Sequence, residues 1–415
     1  MNPQQLRGTR TGVYIGYNQI AMPQGYPQEI QLDSRKSRVE GALWITGTGK
    51  NMYANRVSFS FDLNGPSVVI DTACSSSLVA FDFAVTDLRL GKCDLAIVGT
   101  TQVNLQPFTN FMFQTNHINA TDGISKVWDK DADGFVRSEA VACVLLERKS
   151  QAKRIYATVI HTKSNVDGYK NSGNFFPSKE LQQKLLEETY IEAGVDPNDI
   201  DYFEAHGTAT KAGDPEEAEA IASAYRKDRK GKLLIGLLKS NIGHGEGTSG
   251  LASITKAIIS FENKCIPANL NLKTIKSSIA KFCPPFEPVN KNTPIQPNYC
   301  GVNSFGIGGV NAHAILQANK KEETNESLLI ANKIPRLINY CARTQDGVDF
   351  VFDFIEKNPS KVTKEFLSLI YEPAKYTQNL NSSGFPYRGS MIIKQKDVKE
   401  DGTIDYIYSK ETHFT

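Results

Sequence analysis

The sequence predicts an α/β protein built on a buried parallel sheet, and three observations carry that expectation. Short β-branched runs alternate with apolar stretches at helical spacing through about residue 316, the pattern of strands joined by crossover helices. Turn formers and capping residues stand where one period gives way to the other. Hydrophobic residues make up 40% of the 415 positions and charged residues 22%, enough apolar material for a large core. At about 150 residues per domain the length fits two or three domains, or one large α/β domain with an appendage.

Residues 66–72 form a β-branched run preceded by turn signals and read as a buried strand. The run leads straight into Cys74-Ser75-Ser76-Ser77, then Leu78, Phe81, Val85 and Leu88 at helical spacing, stopped by Gly91. Residues 95–98, 141–146 and 155–160 read as further strands. Ser178 opens a helix bearing Leu181, Leu185, Leu186 and Ile191 and closing at Gly194. Asp214-Pro215 reads as an N-cap with proline at the first helical position, starting a helix through Ala224. Residues 233–238 predict a strand, 251–261 a helix and 312–316 a closing strand. The polar stretch 320–327 reads as a linker. Beyond it, two weaker helices (348–356 and 363–371) predict a small α/β or α+β appendage.

Composition excludes several classes. With 47 Lys and Arg against 45 Asp and Glu, a net charge of +2 leaves no basic excess for nucleic acid or an anionic membrane. The longest apolar stretches, such as 254–261, fall short of the ~20 residues a spanning helix needs. The first residues lack the apolar core of a signal peptide. Seven cysteines without a Cys-x-x-Cys pair predict reduced thiols in a cytosolic setting, not a disulfide scaffold or zinc site. Asp129-Lys130-Asp131-Ala132-Asp133-Gly134 begins like a calcium loop, but its twelfth position is Ala140 and a strand follows, so no metal is expected.

The chemistry points to Cys74. A cysteine at a strand-to-helix junction aims its sulfur at the unpaired N–H groups of the first helical turn, which should lower the thiol pKa. The alternative is a cysteine packed as a small hydrophobe, against which the three following serines argue. His206, in Glu204-Ala205-His206-Gly207-Thr208-Ala209-Thr210, and His244, in Lys239-Ser240-Asn241-Ile242-Gly243-His244-Gly245, both follow predicted strand ends. Open α/β folds place their ligands there. His117, His161, His313 and His413 lack that setting and read as structural.

DTACSSSL, EAHGTATKAGDPEE, KSNIGHGEGTSGLAS and NSFGIGGVNAHAIL, in this order, resemble the β-ketoacyl synthase (ketosynthase) domain of the thiolase superfamily. MYANRVSFSFDLNGPS, DGFVRSEAV and KNSGNFFPS resemble, more narrowly, the multifunctional animal-type, insect-like fatty acid synthase. The resemblance covers about residues 7–318, and more loosely the tail. It implies a thiolase-like layered α/β/α/β/α fold of two half-repeats, 1–151 with Cys74 and 152–318 with His206 and His244, then a post-ketosynthase linker region over 319–415.

The same resemblance implies the roles. Cys74 would take an acyl group from a carrier-protein thioester; malonyl thioester would then lose CO₂ and condense with it. His206 and His244 would donate to the thioester carbonyl as the enolate forms. The backbone N–H groups of Cys74 and Phe305 would form the other oxyanion hole. Lys239 would order the site through Glu217, Thr208 and Thr210 would touch the phosphopantetheine arm, and Gly306-Ile307-Gly308-Gly309 would form a gate. No cofactor of its own is implied, since substrates arrive on the phosphopantetheine of an acyl carrier protein. A homodimer paired through residues 66–71 is implied as well.

The chain also departs from the pattern. It starts later than ketosynthases do, which predicts an incomplete first half-repeat with exposed edges and apolar faces. No acyltransferase or carrier serine motif appears by Thr415. Ala209 stands where the family usually has glycine, Ile307 replaces the usual gate phenylalanine, and Gly245-Glu246-Gly247-Thr248 lacks the common proline. A thiolase would need a second, basic cysteine in a glycine-rich loop, for which Cys300 is the one nearby candidate, and the Gly-x-Ser-x-Gly of a serine hydrolase is missing. Two alternatives remain: an animal polyketide synthase ketosynthase with the same chemistry, and a truncated, inactive ketosynthase-like interaction protein.

Overall fold

The computed structural model describes residues 3–18, 47, 49–105, 107–152, 154–225, 229, 231–283, 285–319, 329–331, 334–359, 361–376, 385–399 and 404–414. The linker expected at 320–327 lies outside the described residues. The chain forms two compact units, residues 7–319 and residues 1–6 with 320–415.

In the larger unit, the first part runs β1 (Thr11–Gly16), α1 (Met52–Phe61), β2 (Ser67–Ile70), α2 (Ser76–Arg89), β3 (Leu95–Gln102), α3 (Pro107–Thr115) and β4 (Ala140–Glu147). Its strands form one sheet in the order β2-β1-β3-β4. The second part adds β5 (Ala157–Val166), α4 (Lys179–Ala193), β6 (Ile200–Glu204), α5 (Gly213–Tyr225), β7 (Leu233–Gly236) and α6 (Ser249–Glu262). The short pair β8 (Cys265–Ile266) and β10 (Thr293–Pro294) brackets β9 (Phe286–Pro288), and β11 (Tyr299–Phe305) and β12 (Val310–Ala318) complete the unit. The second sheet has the order β5-β12-β11-β6-β7-β9.

The sheets are parallel at heart, as the alternation of strands and helices predicts, with antiparallel strands added. β1 runs parallel to β2 and β3, and β6 parallel to β7 and β11. β4 and β12 are antiparallel to their neighbours. For β12 the cause is connection length: residues 306–309 join it to β11, too few for a crossover, so the chain must turn back as a hairpin.

Helices α2 and α6 lie between the two sheets. Leu78, Phe81, Val85 and Leu88 of α2 share a core with Leu251, Ile254 and Phe261 of α6, with Tyr14 and Val98 of the first sheet and with Val302 and Ala314 of the second. On the far side of the second sheet, Leu186 of α4 and Ala218 and Ile221 of α5 pack on Phe203 and Ile235. With α1 against β1 and β2, the order is helix, sheet, helix, sheet, helix. Cap signals locate α4 well: Ser178 accepts from the Leu181 N–H, and Gly194 ends the helix at φ +64°. The outward side chains Val141, Cys143 and Leu145 of edge strand β4 are exposed.

The smaller unit is α+β. Strands β13 (Arg336–Ala342), β14 (Tyr387–Val398) and β15 (Ile404–Phe414) form an antiparallel sheet in that order, with α7 (Gln345–Lys357) and α8 (Lys364–Tyr376). Val348, Phe352 and Ile355 of α7 bury against Ile338, Met391 and Ile393. Among the described residues no helix is long and apolar enough to cross a membrane.

Candidate active site

Between β2 and α2 the chain makes a single 3-10 turn, Ala73–Ser75. The serines serve this turn. Ser76 Oγ accepts from the Thr72 N–H at 2.8 Å and donates to the Ala73 carbonyl at 2.6 Å, while Ser75 Oγ donates to the Thr72 carbonyl at 2.8 Å. Ala73 is held at φ +56°, a left-handed conformation that costs an ordinary residue about 1–2 kcal/mol. Cys74 sits at the crest, and its carbonyl accepts from Ser304 Oγ at 2.9 Å and Ser249 Oγ at 3.1 Å. Gly306 closes over the turn so tightly that a Cβ there would collide with the Thr72 carbonyl oxygen.

Two expectations about the cysteine need correction. The N–H groups of Ile307 and of Cys74 itself do favour the thiolate, but burial and the nearby Glu246 charge outweigh them, and the thiol is pushed up to about 12. Desolvation beats the helix end because a thiolate taken out of water loses more than these two N–H groups return. The second backbone donor at the sulfur is that of Ile307, not Phe305. Strand β11 continues through Phe305, and the Gly306 N–H still pairs with the Val310 carbonyl at 2.8 Å. The next N–H, at Ile307, turns to the cysteine. The Phe305 ring instead packs 5.7 Å from that of His206.

His206 follows the end of β6 and is gripped at its backbone. Its N–H donates to Glu217 Oε1 at 2.7 Å, and the Gly207 N–H donates to Glu217 Oε2 at 2.7 Å. Asn303 Nδ2 also donates to Glu217, at 3.0 Å. His313 Nδ1 donates to Asn303 Oδ1 at 2.7 Å, and burial drives His313 down to about 3, so this histidine is a neutral structural link. Lys239 donates from Nζ to the His206 carbonyl and lies 3.4 Å from His206 Nδ1. The sequence expectation routed Lys239 through Glu217; among the described residues its hydrogen bonds go to His206. Burial lowers Lys239 to about 8 against the raising charges of Glu217 and Glu204, so it is mostly an ammonium at pH 7. An ammonium only donates, which makes Nδ1 of His206 the acceptor and leaves its proton on Nε2.

His244 reaches the same tautomer. Its Nδ1 accepts from the Glu246 N–H at 3.2 Å, and its Nε2 is buried without a hydrogen-bond partner. The two imidazoles meet edge to face with centroids 5.6 Å apart. Burial, with the Lys239 charge, holds both well below the ordinary histidine value, so both are neutral N–H donors. Glu246 in turn is bound by Arg137 Nε and by Asn18 Nδ2 at 3.0 Å.

Thr208 and Thr210 are half-buried with hydroxyls 3.1 Å apart. Asp214 is not an N-cap, because α5 already begins at Gly213. Its buried carboxylate takes the N–H groups of Thr208 at 3.0 Å and Trp128 at 2.9 Å, and burial pushes it up to about 7. In the segment expected to form a gate, Ile307 is exposed, and Gly308 and Gly309 adopt φ +99° and +90°. Asp129 spends its carboxylate on the N–H groups of Asp131, Lys273 and Thr274. Sequence reasoning missed Asn303, Ser304 and Ser249, although the first two lie in the quoted NSFGIGG motif. It also missed Arg137 and Glu246, whose 109-residue separation hides their pairing.

Comparison with known proteins gives the family. Residues 1–152 match the Beta-ketoacyl synthase, N-terminal domain, residues 156–273 its C-terminal domain, and residues 283–392 the Ketoacyl-synthetase C-terminal extension. The chain is 43% identical over 263 residues to a fatty acid synthase of Anser anser anser, covering 63% of this chain and 73% of that sequence. It is 38% identical over 349 residues to the polyketide synthase component of the lovastatin nonaketide synthase of Aspergillus terreus, covering 79% of this chain and 11% of that protein. The ketosynthase from module 6 of the Bacillus subtilis 168 bacillaene synthase superposes with a TM-score of 0.76 at 26% identity, over 95% of this chain and 66% of that one. The fold is the thiolase-like ketosynthase fold, and the chain belongs to the β-ketoacyl synthase family.

Proposed function

We propose that this site performs acyl transfer to Cys74 followed by decarboxylative condensation with a malonyl thioester, both substrates being carried on the phosphopantetheine of an acyl carrier protein. In the first step a bond forms between the acyl carbon and Cys74 Sγ, the carrier carbon–sulfur bond breaks, and the thiol proton ends on the departing pantetheine sulfur. In the second, malonyl loses CO₂ and its electron pair becomes an enolate, with the oxygen taking hydrogen bonds from Nε2 of His206 and His244. The enolate carbon then attacks the acyl carbonyl, whose oxyanion takes the N–H groups of Cys74 and Ile307, and the cysteine leaves. The observation that carries this reading is the pair of neutral imidazoles with their protons on Nε2, whose partners Lys239 and Glu246 lie within electrostatic reach of Cys74. Two preorganised donors in a dry site suit a developing oxyanion. Thr208 and Thr210 are proposed to hold the pantetheine arm.

The fatty acid synthase reading is favoured by the 43% identity to the goose synthase; the polyketide alternative rests on the 38% match over 349 residues. Homodimerisation is part of the proposal, supported by β2 as an edge strand and by the exposed Leu105, Phe108, Phe111 and Met112 in and before α3. The division into residues 1–151, 152–318 and 319–415 is retained as a proposal, as is a cytosolic location.

The test is to incubate the chain with a short acyl thioester and read its intact mass, with Cys74→Ala as control, then to add malonyl carrier protein and measure CO₂. An adduct lost in the control, with CO₂ release, is the expected result. Folded protein that neither acylates nor decarboxylates would overturn the reading in favour of a ketosynthase-like interaction protein.

A further inference from the structure

We propose that the buried Arg137–Glu246 ion pair is the positioning element for His244: it fixes the Glu246 N–H on Nδ1 and so leaves the proton of the ring on Nε2, beside His206. This rests on the proposed function for its catalytic consequence, though not for the structural relation itself.

Glu246 is an unusual residue to find where it is. Its backbone adopts φ +45°, left-handed, at a cost of about 1–2 kcal/mol for a residue with a side chain. Glycines stand on both sides, Gly245 and Gly247, and Glu246 opens a 3-10 turn in which the Thr248 N–H and Oγ1 both donate to the Gly245 carbonyl, at 2.9 and 2.7 Å. The carboxylate anchors the turn from the other side, because both of its oxygens are engaged: Oε1 by Arg137 Nε and Oε2 by Asn18 Nδ2. With the side chain pinned, the Glu246 N–H is turned back onto His244 Nδ1 at 3.2 Å.

Arg137 is itself held at several points. Its Nη1 donates to Asn110 Oδ1 at 2.8 Å, and its guanidinium lies 5.3 Å from the Phe113 ring centroid. Its neighbours grip the histidine's own backbone: the His244 N–H donates to the Val136 carbonyl at 2.7 Å, and the Ser138 N–H donates to the His244 carbonyl at 3.0 Å. Phe135 then packs edge-on against the imidazole, with centroids 4.7 Å apart. The segment 135–138 therefore holds His244 by ring, by backbone and, through Glu246, by Nδ1.

The ion pair is nearly dry, with side chains 4% and 1% exposed. A buried pair of this kind is weak as a source of stability, because removing two charges from water costs several kcal/mol. Setting a geometry is the better-supported use of such a pair. Its positive member has a second effect, since the Arg137 charge opposes a second proton on His244.

The test is nitrogen NMR of the full chain with ¹⁵N-labelled histidine, His244 being assigned from His244→Gln. Wild-type protein should show His244 protonated on Nε2 alone between pH 6 and 8; protonation on Nδ1 overturns the proposal. In Arg137→Gln, His244 should become a mixture of tautomers. Malonyl decarboxylation should fall by about tenfold, less than the ~100–1,000-fold cost of deleting an oxyanion donor outright. Cys74 acylation should stay near the wild-type rate, and Arg137→Lys should recover much of the decarboxylation. A folded Arg137→Gln with unchanged His244 nitrogens, or with acylation and decarboxylation falling together, overturns the proposal. Should Arg137→Gln not fold, the wild-type tautomer and the nitrogen shifts of Arg137→Lys decide. If wild-type protein releases no CO₂, the proposed function fails while the nitrogen shifts still judge the role of Arg137.

Discussion

The loop that carries His206 is held by side chains that arrive from separate elements. Glu217 comes from α5, Asn303 from β11, and Lys239 from the turn after β7. The loop that carries His244 is held chiefly by its own next residues and by one neighbouring segment, through the Glu246 N–H and residues 135–138. One imidazole receives a cation at Nδ1 and the other a backbone amide, yet both finish neutral with the proton on Nε2. The difference teaches that the electrostatic outcome constrains this site more than the means of reaching it. It also predicts that the two loops will fail differently.

The largest effect is expected at Lys239. In Lys239→Met the cation at His206 Nδ1 and the donor to the His206 carbonyl are both lost, and decarboxylation should fall by about 100-fold, the scale of a lost oxyanion donor. Acylation of Cys74 should change much less. The lysine titrates near 8, so wild-type decarboxylation should decline as pH rises through 8, whereas Lys239→Arg, which stays charged, should lose that decline. An alkaline limb unchanged in Lys239→Arg would separate it from this residue. Glu217→Gln comes next. It offers one acceptor where three donors now converge, and unsatisfied buried donors cost roughly 1–3 kcal/mol each. Urea unfolding should show a loss of about 2–3 kcal/mol, larger than that of Arg137→Lys at the other loop.

Asp214 sharpens the comparison through pH, because burial pushes its carboxyl up to about 7. Its folded value near 7 lies above the ordinary 3.8, so the folded state retains a proton that the unfolded chain releases. The associated stabilisation is complete below pH 4 and is lost as pH rises through 7. The stability of Asp214→Asn should therefore vary less between pH 4 and 7 than that of wild type, as measured by urea midpoints at each pH. Parallel curves would mean that the Asp214 proton is not coupled to folding.

Much of this was legible beforehand where one short segment carries its own signal. Ser178 and Gly194 bound α4 because capping is a local matter between side chain and backbone. Cys74, His206 and His244 stand in ordered motifs, and the structure brings His206 and His244 together. What escaped depends on groups without a side-chain signature or on partners far along the chain. The Ile307 N–H has no signature in a sequence, and the expectation of Phe305 falls two residues early. The thiol value turns on burial and on the charge of Glu246, 172 residues along the chain, neither of which the motif around Cys74 carries. Asp214 looked like a cap since the Asp-Pro pair fits one, while its true partners, Thr208 and Trp128, are set by tertiary structure.

The smallest effect belongs to Ala209, which the sequence marked as standing in a glycine position. The residue is buried, and its φ is +58°, in the region where a Cβ crowds its own backbone at a cost of about 1–2 kcal/mol. Replacing it with glycine relieves that crowding but loosens the unfolded chain, which offsets roughly 0.5–1 kcal/mol. Ala209→Gly should thus be stabilising by about 0.5–1 kcal/mol, a rare gain from a substitution to glycine, read as a small rise in the urea midpoint. Because the change also removes a methyl group between Thr208 and Thr210, the Michaelis constant for a pantetheine-borne substrate should fall or stay level while turnover is unchanged. A destabilised Ala209→Gly would mean that the methyl's packing under the His206 loop outweighs its backbone strain. The His206 loop would then be held by apolar contact as well as by the long-range hydrogen bonds that set it apart from its counterpart.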